Sequence, residues 1–115
     1  MSIKRHEPSK IYSKVVEANG FVYTAGIVAD DVKQDIKGQT QQILKEIDKL
    51  LKSAGTNKSK LLSANIWLTD MKNFSEMNSV WDAWVSPGNT PARATVESKL
   101  AAPGLDVEIM VEAAI

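Results

Sequence analysis

The chain has 115 residues, 43% of them hydrophobic and 24% charged, with zero formal net charge, no cysteine and one histidine, His6. This is the composition of one soluble domain over 1–115, and it excludes disulfides, thiolate nucleophiles, Cys-ligated metals and any imidazole-based triad away from the N-terminus. Zero net charge removes the footprint of a nucleic-acid binder, and no apolar run nears the roughly 18 residues that span a bilayer, so a cytoplasmic protein with a small neutral or anionic ligand is expected.

The N-terminal MSIKRHEPSK lacks the apolar stretch of a secretory signal, and IKRHE offers an additional strand with His6 on an exposed segment. YSKVVEANGFVYTAG (12–26) reads as two extended runs around Asn19-Gly20, a pair that tolerates the positive φ of a type I′ hairpin turn. In 30–55 the period changes. Ile43, Ile47, Leu50 and Ala54, widened by Leu44 and Leu51, form one stripe of an amphipathic helix, with Lys45, Asp48, Lys49 and Lys52 elsewhere and Gly55 as its stop.

LLSANIWLTD (61–70) alternates, which predicts a strand with Leu62, Ala64, Ile66 and Leu68 on the core face. Asn73 and Glu76 resemble a capping box opening a second helix, whose stripe is Phe74, Met77, Val80, Trp81 and Trp84. SPGNTP (86–91) is a loop, and ARATVES (92–98) and DVEIMVEAA (106–114) are strands. The resulting β-β-α-β-α-β-β order predicts an α+β fold, a mixed sheet with both helices on one face. Such a sheet leaves its other face for a partner to cover.

Alternation places Arg93, Thr95 and Glu97 on one strand face. Arg93 either lies in solvent on its aliphatic stem or forms a two-pronged clamp for a carboxylate, a geometry that lysine does not reproduce. Glu108 and Glu112 share a face of the last strand about 13 Å apart, too far to act as one acid/base pair. Either carboxylate is open to two readings, a salt bridge with Arg93 or a general acid/base.

IYSKVVEANGFVYTAG, LLSANIWLTDMKNFSEMNSVWDAW, TPARATVES and VEI together resemble the RidA/YjgF family, also labelled L-PSP endoribonucleases, nearly end to end. The resemblance implies a chorismate-mutase-like fold, a homotrimer with clefts at the subunit boundaries, and hydrolysis of enamines and imines such as 2-aminoacrylate to 2-keto acids and ammonia. It implies no metal and no cofactor. Arg93 falls on the family's carboxylate-holding arginine and Glu108 on its water-positioning glutamate; an alternative register through Glu112-Ala113 would put Met110 there instead. Tyr12, Gly26 and Asn78 fall on substrate-site positions, Trp84 on one usually held by another aromatic, and Thr95 on one often held by cysteine. Ala25 stands where the archetype has serine, and Lys10 to Lys14 depart from its GPYSQ. A non-catalytic binding module for small carboxylates in the same cleft is the alternative reading. Neutral charge and the lack of a histidine pair weigh against a ribonuclease.

Overall fold

The computed structural model describes residues 2–115. Six strands form one sheet: β1 (Lys4–Pro8), β2 (Ser13–Ala18), β3 (Phe21–Thr24), β4 (Leu61–Leu68), β5 (Ala92–Glu97) and β6 (Val107–Ala114), in the order β1-β2-β3-β6-β4-β5. Two helices, α1 (Ile36–Ser53) and α2 (Phe74–Trp84), complete the architecture. Only β4 and β5 run parallel, because α2 carries the chain back between them; the other pairs are antiparallel.

Local chemistry accounts for most of these elements. Asn19 and Gly20 take φ of 53° and 80°, so the β2–β3 turn has the twist that suits a two-residue hairpin. Asp35 caps α1 by accepting from the Gly38 amide at 2.9 Å, and Gly55, at φ 80°, ends it in the left-handed conformation. The expected apolar stripe of α1 is buried throughout, from Ile43 to Ala54.

Val15, Val22, Ala64, Ile66, Leu68, Val107, Ile109 and Val111 supply the sheet's side of the core, and α1 together with Met77 and Trp81 of α2 supplies the other. Gln39, fully buried, ties α1 to the segment before β6: its amide nitrogen donates to the Gly104 carbonyl at 2.9 Å and its oxygen accepts from the Asp106 amide at 2.9 Å. The opposite sheet face bears Phe21, Tyr23, Asn65, Trp67, Glu108, Met110 and Glu112, and among the described residues Phe21 and Tyr23 stay 42% and 41% exposed.

Three local expectations need correction. Leu62 is 45% exposed, because a bulge between Leu61 and Ser63 inserts one residue and turns Leu61 inward in its place. Asn73 makes no side-chain cap; the carboxylate one turn earlier, Asp70, accepts from the Lys72 amide and opens a short 3-10 turn (Met71–Asn73) that leads into α2. His6 is not a free surface residue: in β1 it bonds Glu17 across the β1–β2 pair.

Candidate functional site

The parallel register places Arg93 beside Ala64 and Thr95 beside Ile66, so both face the helix side of the sheet. There α2 presents Phe74, Asn78 and Trp81, spaced i, i+4 and i+7 on one helical face. The guanidinium carbon of Arg93 lies 5.8 Å from the Phe74 ring centre and 5.3 Å from that of Trp81. One of its nitrogens donates to Asn78 Oδ1 at 2.7 Å. The two rings fix the plane of the fork and the amide fixes its rotation.

Arg93 is half-buried, and among the described residues no carboxylate lies within ion-pair distance of it. Burial lowers its pKa, yet a guanidinium stays charged at neutral pH. The Thr95 hydroxyl is buried next to it on the same face and has no hydrogen-bond partner. A lone cation and an unpartnered hydroxyl side by side suit an anionic acceptor.

Glu108 belongs to a different place. Its partner across β4 is Trp67, while Val111, three residues on, pairs with Ala64 on the face of Arg93. Three residues reverse the face of a strand, so within one chain Arg93 and Glu108 project from opposite faces. Arg93 and Glu108 therefore do not meet inside a single copy.

The carboxylate of Glu108 rests on Gly26: a Cβ built at Gly26 would sit 2.1 Å from Glu108 Oε2. Glycine leaves the space in which the acid lies against the backbone, and a side chain there would displace the flexible end of Glu108. Burial pushes the Glu108 carboxyl above its usual pKa, and no Lys or Arg among the described residues is close enough to pull it back. Met110, the alternative occupant of this position, stands on the same face one pair further along, opposite Asn65.

Gly26 also borders a recess of about 190 Å³ that includes Tyr12, Lys14, Asp30, Gln42 and Glu46. Tyr12 is more than half exposed at its rim, held by a turn in which its amide donates to Ser9 Oγ at 3.2 Å. Ala25 is pinned by its own amide, which donates to the Lys14 carbonyl at 2.8 Å, and its methyl group contributes no polar contact. Neither Ala25 nor Glu108 lines this recess; Glu108 adjoins it only through Gly26.

Trp84 joins neither this recess nor the Arg93 clamp. Its indole N–H donates to Asp48 of α1 at 3.0 Å, and its ring lies 5.4 Å from that of Trp81, one ring removed from Arg93. The sequence reading assigned Phe74 and Trp81 to the core and so missed their contact with the guanidinium; their i, i+4, i+7 spacing with Asn78 was the available signal. Among the described residues no group of three or more His, Cys, Asp or Glu could hold a metal, and no helix is long and apolar enough to cross a membrane.

Known proteins share this fold. A family model described as Endoribonuclease L-PSP matches residues 2–115. The chain is 45% identical over 113 residues to a RutC family protein of Haemophilus ducreyi, covering 98% of this chain and 97% of that one. It is 40% identical over 115 residues to the RutC family protein YoaB of Escherichia coli, with 100% of each covered. The crystal structure of NMB1025, a member of the YjgF protein family from Neisseria meningitidis, matches it with a TM-score of 0.96 at 42% identity, over 99% of this chain and 95% of that one. The expected α+β, chorismate-mutase-like fold is therefore present.

Proposed function

Because this chain belongs to the RidA/YjgF family, we propose that it hydrolyses small carboxylate-bearing enamines and imines of the 2-aminoacrylate type to 2-keto acids and ammonia. The observation that carries this reading is the Arg93 fork, held by Phe74, Trp81 and Asn78, without a counter-ion among the described residues and beside the unpartnered Thr95 hydroxyl. A substrate carboxylate satisfies both groups at once, accepting two N–H bonds from Arg93 and one O–H bond from Thr95.

The acid comes from another copy. Since Arg93 and Glu108 project from opposite faces of one sheet, a cleft that holds both is built between subunits of a homotrimer. In it Glu108 accepts a proton from a water as the water oxygen bonds to the imine carbon. That proton passes to nitrogen to give a carbinolamine; the remaining hydroxyl proton then moves through the same carboxylate to nitrogen as the C–N bond breaks, the carbonyl forms and ammonia leaves, so that one water is consumed for each imine. Imines hydrolyse unaided, so orientation and one proton relay suffice, and neither metal nor cofactor has a part. The ionised carboxylate is the working form. Its raised pKa therefore sets the acid limb of kcat/KM above the range of an ordinary glutamate.

The absence of a hydroxyl at Ala25 favours a second reading, a module that holds small carboxylates without turnover. One experiment separates the two. Iminopyruvate is generated in situ and its decay followed with wild type, Arg93→Ala, Glu108→Ala and an oligomer reassembled from both variants. Loss of turnover in each variant with partial recovery in the mixture supports the shared catalytic cleft. Pyruvate binding that depends on Arg93 without any acceleration establishes the module, and unchanged turnover in both variants refutes the assignment.

A further inference from the structure

A groove of about 500 Å³ lies between the helices, and neither Arg93 nor Glu108 lines it. Its apolar surface is Leu44 of α1 with Val80, Ala83 and Trp84 of α2, and its charged groups are Lys37, Lys45, Lys58 and Asp48. Asp48 is already engaged by the Trp84 indole N–H at 3.0 Å, whereas the three lysines have no carboxylate within ion-pair distance among the described residues. Lys58 is half-buried in the 3-10 turn Lys58–Lys60, with its ammonium 5.2 Å from the Trp84 ring centre.

Two of these features are unusual for a surface that only meets water. Lysine is a strongly hydrated charge that ordinarily extends away from its neighbours, yet Lys58 is folded over an indole. Trp84, the largest apolar surface here, is only half-buried and is fixed in orientation by Asp48 and Trp81. A rigid ring, an apolar floor and three uncompensated cations around one concavity match the general make-up of a small-molecule site, and the volume lies within the usual range of about 300–1,000 Å³.

We propose that this groove binds a small organic anion with a flat apolar body, an aryl carboxylate, whose ring lies against Trp84 and whose carboxylate meets Lys58 together with Lys45 or Lys37. Charge complementarity decides the ligand's sign: three free cations face a single hydrogen-bonded carboxylate, so a cationic or neutral aromatic leaves the rim unbalanced. Stacking decides its shape, because offset ring contacts need a planar partner. The site is independent of the proposed cleft, since neither Arg93 nor Glu108 borders it.

The test is a titration of the intact protein with 2-naphthoate, read from the indole N–H resonance of Trp84, which is assigned by its loss in Trp84→Phe. The expected result is a saturable shift that persists in Arg93→Ala, weakens about fivefold or more in Lys45→Ala/Lys58→Ala, and is much smaller with uncharged 2-naphthylmethanol. A shift abolished by Arg93→Ala would show that the anion occupies the carboxylate clamp alone and would overturn the proposal. So would a shift unaffected by the lysine pair, an equal response to the alcohol, or no response. Lys45 is exposed and Lys58 sits in a surface turn, so the double variant folds, and its thermal transition verifies this.

Discussion

Ile109 and Met110 are neighbours in β6, yet Ile109 is fully buried in the core shared with the helices and Met110 stands on the open face of the sheet. The same split separates Arg93 from Glu108. On the helix side a side chain meets a partner from its own chain, as Arg93 meets Asn78 and the two aromatic rings. On the open side Glu108 lies against Gly26 and beside Trp67, and Tyr23 and Phe21 stay about 40% exposed. One face is finished by folding; the other keeps Phe21 and Tyr23 partly exposed.

The sharpest way to break this contrast is substitution of the neighbouring pair. Ile109→Ala removes a fully buried side chain and is expected to lower unfolding stability by about 2–5 kcal/mol in denaturant titrations. Met110→Ala leaves most of that stability intact and instead weakens self-association, as light scattering over a dilution series would detect. Equal losses of fold stability in both variants would erase the distinction between the faces.

The next effect is smaller and falls on the clamp. Asn78→Ala deletes the hydrogen bond that fixes the rotation of the fork, so kcat/KM for the imine is expected to fall roughly ten- to hundredfold, and the thermal transition to drop by several degrees as about 1.5–3 kcal/mol of stability is lost. A Gly26→Ala variant acts from the other face. Its new methyl group meets the Glu108 carboxylate and is expected to push that flexible side chain aside, reducing turnover toward that of Glu108→Gln with little loss of stability.

The smallest effect concerns pH. Burial raises the Glu108 pKa, so the folded state disfavours the ionised form, and this penalty is absent below the usual value of 4.5 and grows as pH rises through the raised one. Glu108→Gln is therefore expected to be slightly more stable than wild type at pH 7, with the difference vanishing below about pH 4.5. A variant less stable at neutral pH would mean that the carboxylate is compensated by a partner.

Much of the fold was legible where the signal is local. The Asn19-Gly20 turn follows from the two residues that accept positive φ, and α1 follows from the 3.6-residue spacing of Ile43, Ile47, Leu50 and Ala54. The bulge at Leu61–Ser63 was not legible, because alternation alone favours Leu62 inward and only pairing with β6 shows the extra residue. The Asn73 cap failed for a similar reason: Asp70 captured the start of the segment first.

The candidate site divides along the same line. Residue identity already named a guanidinium on a strand and an acid on another, since chemistry of that kind resides in side chains and in two-residue periodicity. Which way each one points is a matter of parity summed over β5, β4 and β6, and a shift of one residue in either pairing reverses it. Arg93 is oriented by rings from α2 and Glu108 by a glycine more than eighty positions away, contacts that exist only once distant segments are brought into register.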